Sequence, residues 1–214
     1  MSVRSFAHSS LVLVLVLGVS ACGGKRKPEA DPAKVQALAK VMANVTVPFA
    51  GLRPCAAADF QMPSMMQPTL LRLAHAEVPA TNERVAWMNP PEVDAPYMRV
   101  LVDSTDEKQR RQAAAEFLTA KQYMVYRVDL LDVPLALEIK ELKRGAVGIR
   151  AIGYDKAGEP ACVKQFTVQN DKDISESAMK RSDRAVVDPA IAKELRDDLK
   201  VQLLAKIEQF RTGP

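Results

Sequence analysis

Histidine, the side chain that most often carries acid–base catalysis near neutral pH, is scarce in this chain of 214 residues. The two histidines are His8 and His75. His8 precedes an apolar N-terminal run, and His75 lies in the stretch LLRLAHAEV without a catalytic motif around it. Neither provides the paired ligands of a zinc or iron site. We therefore interpret His75 as a partly exposed helix residue.

Four carboxylates around residues 132–134 are the next candidates for chemistry. Two carboxylates across a hairpin can serve as general acid and general base, as in sugar hydrolysis. These four alternate with apolar residues, however, and such alternation is typical of the solvated face of a sheet. We therefore expect no catalytic residues, no enzymatic activity, no cofactor and no metal ligands. The four carboxylates are Asp129, Asp132, Glu138 and Glu141.

Five of the nine methionines occur within residues 62–98. Clustered thioethers in an exported protein are the soft ligands that copper(I) prefers. Methionine is also the usual filler of irregular packing, and this part of the chain is irregular. Both interpretations stay open, with packing favoured. The five are Met62, Met65, Met66, Met88 and Met98.

The N-terminus carries an apolar run, LVLVLVLGVSAC, at residues 11–22. As a helix these twelve residues would reach about 18 Å, whereas the hydrocarbon core of a bilayer is about 30 Å thick. The run is too short to span a membrane. It follows a segment with one fixed positive side chain, Arg4, and it ends in the small residues Ser20 and Ala21. This arrangement predicts a cleaved signal peptide over residues 1–21.

The end of that run, Val19-Ser20-Ala21-Cys22, resembles the lipobox of bacterial lipoproteins, in which a branched apolar residue and two small residues precede a cysteine. The resemblance covers residues 1–22 and implies cleavage before Cys22, a diacylglyceryl group on its sulfur and acylation of its new amine. Gly23 follows the cysteine, which implies passage to the outer membrane, facing the periplasm or the cell surface. The alternative is an ordinary secretory signal that leaves Cys22 as a free thiol.

The chain has three cysteines, Cys22, Cys55 and Cys162. If Cys22 is acylated, Cys55 and Cys162 form an even pair in an oxidising compartment, where disulfides persist. We expect a disulfide between them. The alternative is two separate buried thiols, which behave as small apolar side chains.

Beyond the signal, the chain has the length and composition of one domain. Residues 22–31 contain glycine, proline and charged residues and are predicted to form a lipidated, flexible tether, followed by a single domain over residues 32–214. Removing residues 1–21 takes away one basic side chain and no acidic one, so the formal net charge falls from +4 to +3. This balance, together with few aromatic residues, disfavours nucleic-acid binding.

The periodicity of the domain predicts an α+β fold. Helices are expected after Asp31, over residues 69–76, after a capping box at Ser104 and Glu107, and after Asp188. The last of these helices has an apolar residue at every fourth position: Ile191, Leu195, Leu199, Leu203 and Ile207. Residues 48–96, which contain eight prolines and are here called the Pro-rich segment, should be mostly irregular. Four alternating stretches predict an antiparallel four-stranded meander covered on one face by helices. They are YMVYRVDLL, PLALEIKEL, AVGIRAIGYD and ACVKQFTVQ, and a type I turn at Asp155-Lys156-Ala157-Gly158 is expected to join the last two.

These features favour a lipid-anchored protein of the cell envelope with a non-catalytic interaction or accessory role. Its expected partners are the membrane, through the diacylglyceryl anchor on Cys22, and an envelope protein that the sequence does not identify. The alternative is a ligand-binding protein that takes copper(I) or a small apolar molecule beneath the Pro-rich segment. Loops held on a rigid scaffold are common binding sites, so we expect the Pro-rich segment to carry recognition.

Overall fold

Five strands form one mixed sheet in the structure, a computed structural model that describes residues 29–44, 50–76, 88–132, 135–137, 141–143, 145–171, 177 and 189–213. The strands are β1 (Arg53–Pro54), β2 (Ser64–Met66), β3 (Gln122–Asp132), β4 (Leu135–Leu137), β5 (Glu141–Lys143), β6 (Ala146–Asp155) and β7 (Pro160–Gln169). The order across the sheet is β1-β7-β6-β3-β2, and β4 and β5 form a separate two-stranded ribbon.

The α+β class is confirmed, but the predicted antiparallel four-stranded meander is wrong. β3, β6 and β7 are antiparallel neighbours, whereas β1 runs parallel to β7 and β2 runs parallel to β3. The stretch PLALEIKEL, predicted as one strand of the sheet, contributes β4 and β5 of the ribbon instead. The local sequence pattern could not predict the two outer strands of the sheet. β1 and β2 are short stretches of the Pro-rich segment, and each pairs with a strand that is distant in sequence.

Five α-helices occur among the described residues, together with a 3₁₀ helix (Ala57–Gln61). The side chain of Asp31 accepts a hydrogen bond from the backbone N–H of Ala33 at 2.9 Å, and this interaction caps the first helix as expected. The α-helices are α1 (Pro32–Ala43), α2 (Gln67–Ala74), α3 (Pro96–Asp103), α4 (Glu107–Thr119) and α5 (Pro189–Thr212).

The cap of α4 differs from the predicted one. The side chain of Asp106, not that of Ser104, accepts hydrogen bonds from the backbone N–H groups of Lys108 and Gln109. Ser104 ends α3, and its hydroxyl accepts a hydrogen bond from the N–H of Asp106. Serine and aspartate are both good N-terminal caps. In the short connection between the two helices, Ser104 ends α3 and Asp106 begins α4.

Helices cover both faces of the sheet, so the predicted single covered face is also wrong. The first face carries Tyr123 and Val125 and packs against α1 to α4. The second face carries Met124 and Tyr126 and packs against α5. All four of these consecutive β3 side chains are buried. A strand that is apolar on both sides is buried on both sides, and the alternation over residues 123–131 did not distinguish the two cases.

The last helix lies across the second face through the stripe predicted from its sequence. Leu195, Leu199, Leu203 and Ile207 are all buried at every fourth position, which places them on one side of α5. No helix among the described residues is long and apolar enough to cross a membrane. The structure does not describe the predicted signal peptide, Cys22, Asp188, or Phe49 and Trp87 of the Pro-rich segment.

Candidate functional site

The structure joins Cys55 and Cys162 in a disulfide, as the cysteine count led us to expect. Their Cα atoms lie 5.0 Å apart although 107 positions separate them in sequence. The parallel pairing of β1 with β7 brings them together, with Arg53 opposite Cys162 and the backbone N–H of Cys55 donating to the carbonyl of Val163 at 3.1 Å. The disulfide therefore fastens the start of the Pro-rich segment to strand β7 of the sheet.

A groove of about 300 Å³ opens beside this disulfide, between the 3₁₀ helix, β7 and the end of α5. We call it the Phe210 groove. Its volume is at the lower end of the range typical of small-molecule sites, about 300 to 1,000 Å³. Its lining residues are Cys55, Ala57, Phe60, Lys164, Lys206, Gln209, Phe210 and Gly213.

Aromatic side chains form the apolar part of the groove. The ring of Phe210 lies 4.9 Å from that of Phe60 and 5.0 Å from that of Phe166, measured between centroids. These separations are typical of favourable aromatic pairs. Phe60 is fully buried, whereas Phe210 and Phe166 are partly exposed. The groove therefore has an apolar floor with one accessible aromatic ring.

Two lysines place positive charge at this apolar surface. The ammonium nitrogens of Lys164 and Lys206 each lie 5.4 Å from the centroid of the Phe210 ring, within cation–π range. Lys206 also donates a hydrogen bond to the Oε1 atom of Gln209 at 2.8 Å. Neither ammonium forms a salt bridge with any residue that the structure describes. The groove thus combines apolar surface with two positive charges that lack an anionic partner there.

The 3₁₀ helix that forms one wall is fixed from the side of β1 by an ion pair. The guanidinium of Arg53 donates two hydrogen bonds to the carboxylate of Asp59, at 2.6 and 2.8 Å, and the N–H of Ala56 donates a third at 2.7 Å. The hydrogen bonds from Arg53 lower the pKa of Asp59 below its ordinary value, and the bond from Ala56 adds to this effect. Asp59 is therefore a neutralised structural anion.

The same wall is fixed to α5 by Arg211. Its guanidinium donates to the carbonyl of Phe60 at 3.1 Å and to the hydroxyl of Ser64 at 3.2 Å. The amide of Gln61 donates in return to the carbonyl of Arg211 at 2.7 Å. The residues around the groove are therefore held by hydrogen bonds from two sides, which favours a preformed site.

Asp59 and the two cysteines are also the one group of three potential metal ligands found among the described residues, with their ligand atoms within 4.8 Å of one another. The cysteine sulfurs are bonded to each other and the carboxylate is occupied by Arg53. Metal binding requires thiolates, which a disulfide does not provide. In this oxidised form the three residues have a structural role.

The structure places the candidate copper ligands in two separate clusters. Met65 and Met98 are buried on the first face of the sheet, and Met62, Met66 and Met88 are buried on the second. Met65 and Met66 are adjacent in β2, where successive side chains point to opposite faces. The five thioethers are therefore not brought together into one set, and each has a place in the core.

Of the four carboxylates predicted near the hairpin, the structure describes the side chain of Asp129 alone, and this side chain is paired with arginines. Asp129 forms ion pairs with Arg127 at 3.0 Å and with Arg150 at 2.8 Å. The side chains of Asp132, Glu138 and Glu141 lie outside the described residues. His75 ends α2 in a left-handed conformation with φ of 49° and is exposed.

A larger cleft, of about 590 Å³, lies where α1, α2 and α3 meet. Arg72 lines it but is paired with Asp103 at 2.6 Å, and Arg110 contributes a buried Nε atom that has no hydrogen-bond partner among the described residues. His75 also lines this cleft, whereas no Phe, Tyr or Trp side chain does. The Phe210 groove is the better candidate because it combines an aromatic floor with two cations.

Three residues of the groove, Lys164, Lys206 and Phe210, were not predicted from the sequence. One signal was present: Phe210 follows Ile207 by three positions, so the apolar stripe of α5 continues to the end of the helix, and Lys206 lies four positions before Phe210 on the same side. That β7 brings Lys164 to the same place depends on tertiary structure.

No protein-family model matches this chain, and no curated protein or solved structure matches it either.

Proposed function

We propose that this chain is a lipid-anchored protein of the bacterial cell envelope with a non-catalytic binding role. The N-terminal motif supports attachment through a diacylglyceryl group on Cys22. The disulfide between Cys55 and Cys162 is the structural observation that supports this proposal, because disulfides persist in compartments outside the reducing cytosol. Gly23 after the anchor favours the outer membrane, with the domain facing the periplasm or the cell surface.

The role of the domain in this proposal is recognition of an envelope partner or ligand through the Pro-rich segment. Part of this segment supports the proposal, since Cys55, Ala57 and Phe60 line the Phe210 groove. Another part does not contribute exposed contacts, since Met65 and Met66 are fully buried. The recognition surface is therefore proposed for residues 55–60 and the end of α5.

The groove also favours the second candidate function, binding of a small ligand. Its volume and mixed lining suit a small molecule with an apolar body. Copper(I) is the less supported ligand of the two, because the methionines are divided between the two faces of the sheet. The anchor and the small-ligand site are compatible, and one protein can have both.

Cell fractionation of the full chain and of the variant Cys22→Ala tests the anchor. A single acyl chain binds membranes only marginally, whereas several anchor stably. The unchanged protein should sediment with membranes after a high-salt wash and be released by detergent, and Cys22→Ala should be soluble or remain an uncut precursor. Ser20→Ala, which keeps a small residue before the cysteine, is the matched control and should behave like the unchanged protein. A Cys22→Ala protein that has lost its signal and still sediments would contradict the proposal.

A further inference from the structure

We propose that the Phe210 groove binds a small amphipathic carboxylate, that is, a molecule with an apolar or aromatic body that ends in one carboxylate. This inference deepens the proposed binding role and rests on it for its biological setting. The chemistry of the groove itself is independent of where the protein is located.

The charge of the groove indicates the sign of the ligand. Lys164 and Lys206 line it, and neither ammonium has a carboxylate partner among the described residues. The nearest structural anion, Asp59, is neutralised by two hydrogen bonds from Arg53. Glu208, on the same turn of α5, lies 3.8 Å from the guanidinium of Arg211. A negatively charged group at the rim therefore meets uncompensated positive charge.

The apolar part of the groove indicates the body of the ligand. Phe60, Ala57 and the disulfide form a surface that an aliphatic chain or an aromatic ring can cover. An inorganic anion would leave this surface in contact with water, and a purely apolar molecule would leave the two ammonium groups without a partner. A carboxylate attached to an apolar body satisfies both parts of the lining at once.

The two lysines could instead have a purely structural role, which the experiment must distinguish from ligand binding. In that role their aliphatic chains cover Phe210 while their ammonium groups remain solvated. In that case their charges matter little for ligand binding. The two roles differ in one measurable respect. If the lysines only pack on Phe210, replacing them changes the stability of the protein. If their ammonium groups contact the ligand, replacing them changes the preference for a charged ligand over its neutral analogue.

The test uses the full-length lipidated protein in lipid nanodiscs and 4-phenylbutyrate as the probe, with 4-phenylbutyramide as its neutral, nearly isosteric analogue. Saturation-transfer NMR titrations, corrected with empty nanodiscs, give the affinity of each. We expect saturable binding of the acid and binding of the amide that is about tenfold weaker, the factor that corresponds to one charge-assisted hydrogen bond. Absence of saturable binding of the acid, or equal affinity for the amide, would overturn the proposal.

The variants Lys164→Gln and Lys206→Gln identify the groove. Each should weaken binding of the acid several-fold and leave both the affinity for the amide and the melting temperature nearly unchanged. Lys193→Gln is the matched control, since Lys193 lies on α5 but pairs with Asp197 and does not line the groove. If both groove variants bind the acid as Lys193→Gln does, the site is elsewhere and the proposal is wrong.

The same titration on the Cys22→Ala protein separates this inference from the proposed anchor. Binding that persists in soluble Cys22→Ala protein supports the groove independently of the membrane. If fractionation shows no lipid anchor while the acid still binds, the envelope proposal fails and the groove stands. If the anchor is present and the acid does not bind, only the groove proposal fails.

Discussion

Gly153 lies directly beneath the sulfur of Cys162: a Cβ atom built on Gly153 would be 2.6 Å from the Sγ atom of Cys162. The two residues are opposite each other in the ladder between β6 and β7. A separation under 3.0 Å is essentially never seen for real Cβ atoms. The absence of a side chain at Gly153 therefore leaves room for the disulfide. The close packing of β6 against the cross-link depends on glycine at this position.

The substitution Gly153→Ala should destabilise the oxidised protein by about 1 to 3 kcal/mol, the usual cost of overpacking a core. The cost should be much smaller in a Cys55→Ala, Cys162→Ala background, because the sulfur that the new methyl group meets is absent. Chemical denaturation of the four proteins gives the coupling energy. Equal costs of Gly153→Ala in both backgrounds would contradict the close approach.

Removing the disulfide should lower the free energy of unfolding by about 4 to 5 kcal/mol, since the chain-entropy model assigns a value of this size to a loop of 107 residues. The measurement is urea unfolding with and without reductant, with thiol counting on the unfolded protein. Two free thiols in the freshly isolated protein, or the same midpoint in the reduced and oxidised forms, would contradict this prediction.

The elements with strong local signals were predictable from the sequence. The every-fourth stripe of α5 is confirmed for Leu195, Leu199, Leu203 and Ile207, and Asp31 caps α1. The turn after β6 is confirmed as well, with the N–H of Gly158 donating to the carbonyl of Asp155 at 3.0 Å. In each case the signal lies within a few residues of the element that it specifies.

The rest depended on partners that are distant in sequence. β1 and β2 are two and three residues long, and each is a strand only because β7 or β3 lies beside it. The Phe210 groove likewise requires residue 164 of β7 to meet the C-terminal end of α5 and Gly213, which follows it. Intrinsic strand propensity is weak compared with such tertiary context, so local pattern alone could not give the sheet order or the groove.

The ion pair between Arg53 and Asp59 makes a pH-dependent contribution to stability. The pKa of Asp59 is lowered in the folded state, so this contribution is present above the unfolded pKa and is lost as the pH falls through the folded pKa. The destabilisation caused by Asp59→Asn should therefore be largest near neutral pH and shrink below about pH 4. Urea unfolding at several pH values checks this.

Asp197→Asn is the matched control for that experiment. The pKa of Asp197 is also lowered, by hydrogen bonds from Lys193 and Lys200, but its ion pairs are on the exposed side of α5. Exposed pairs contribute little, so this variant should change stability only slightly at any pH. A cost for Asp59→Asn that is the same at pH 7 and pH 3 would show that Asp59 acts through packing and not through its charge.

Two tyrosines on opposite faces of β3 form a matched pair for testing the core. The hydroxyl of Tyr123 donates to the carbonyl of Phe117 at 2.9 Å, and burial raises the pKa of Tyr123 to about 12. The hydroxyl of Tyr126 is buried without a hydrogen-bond partner among the described residues. Tyr123→Phe should cost about 1 kcal/mol, whereas Tyr126→Phe should be neutral or stabilising. A larger cost for Tyr126→Phe would show that its hydroxyl has a partner.

Mass spectrometry of the mature N-terminal peptide tests most directly the proposal that the domain is held at a membrane through Cys22. We expect a peptide that begins at Cys22 and carries the added mass of a diacylglyceryl group on its sulfur and an acyl group on its amine. A peptide that begins at Cys22 without added mass, or one that retains residues 1–21 in the membrane fraction, would contradict it.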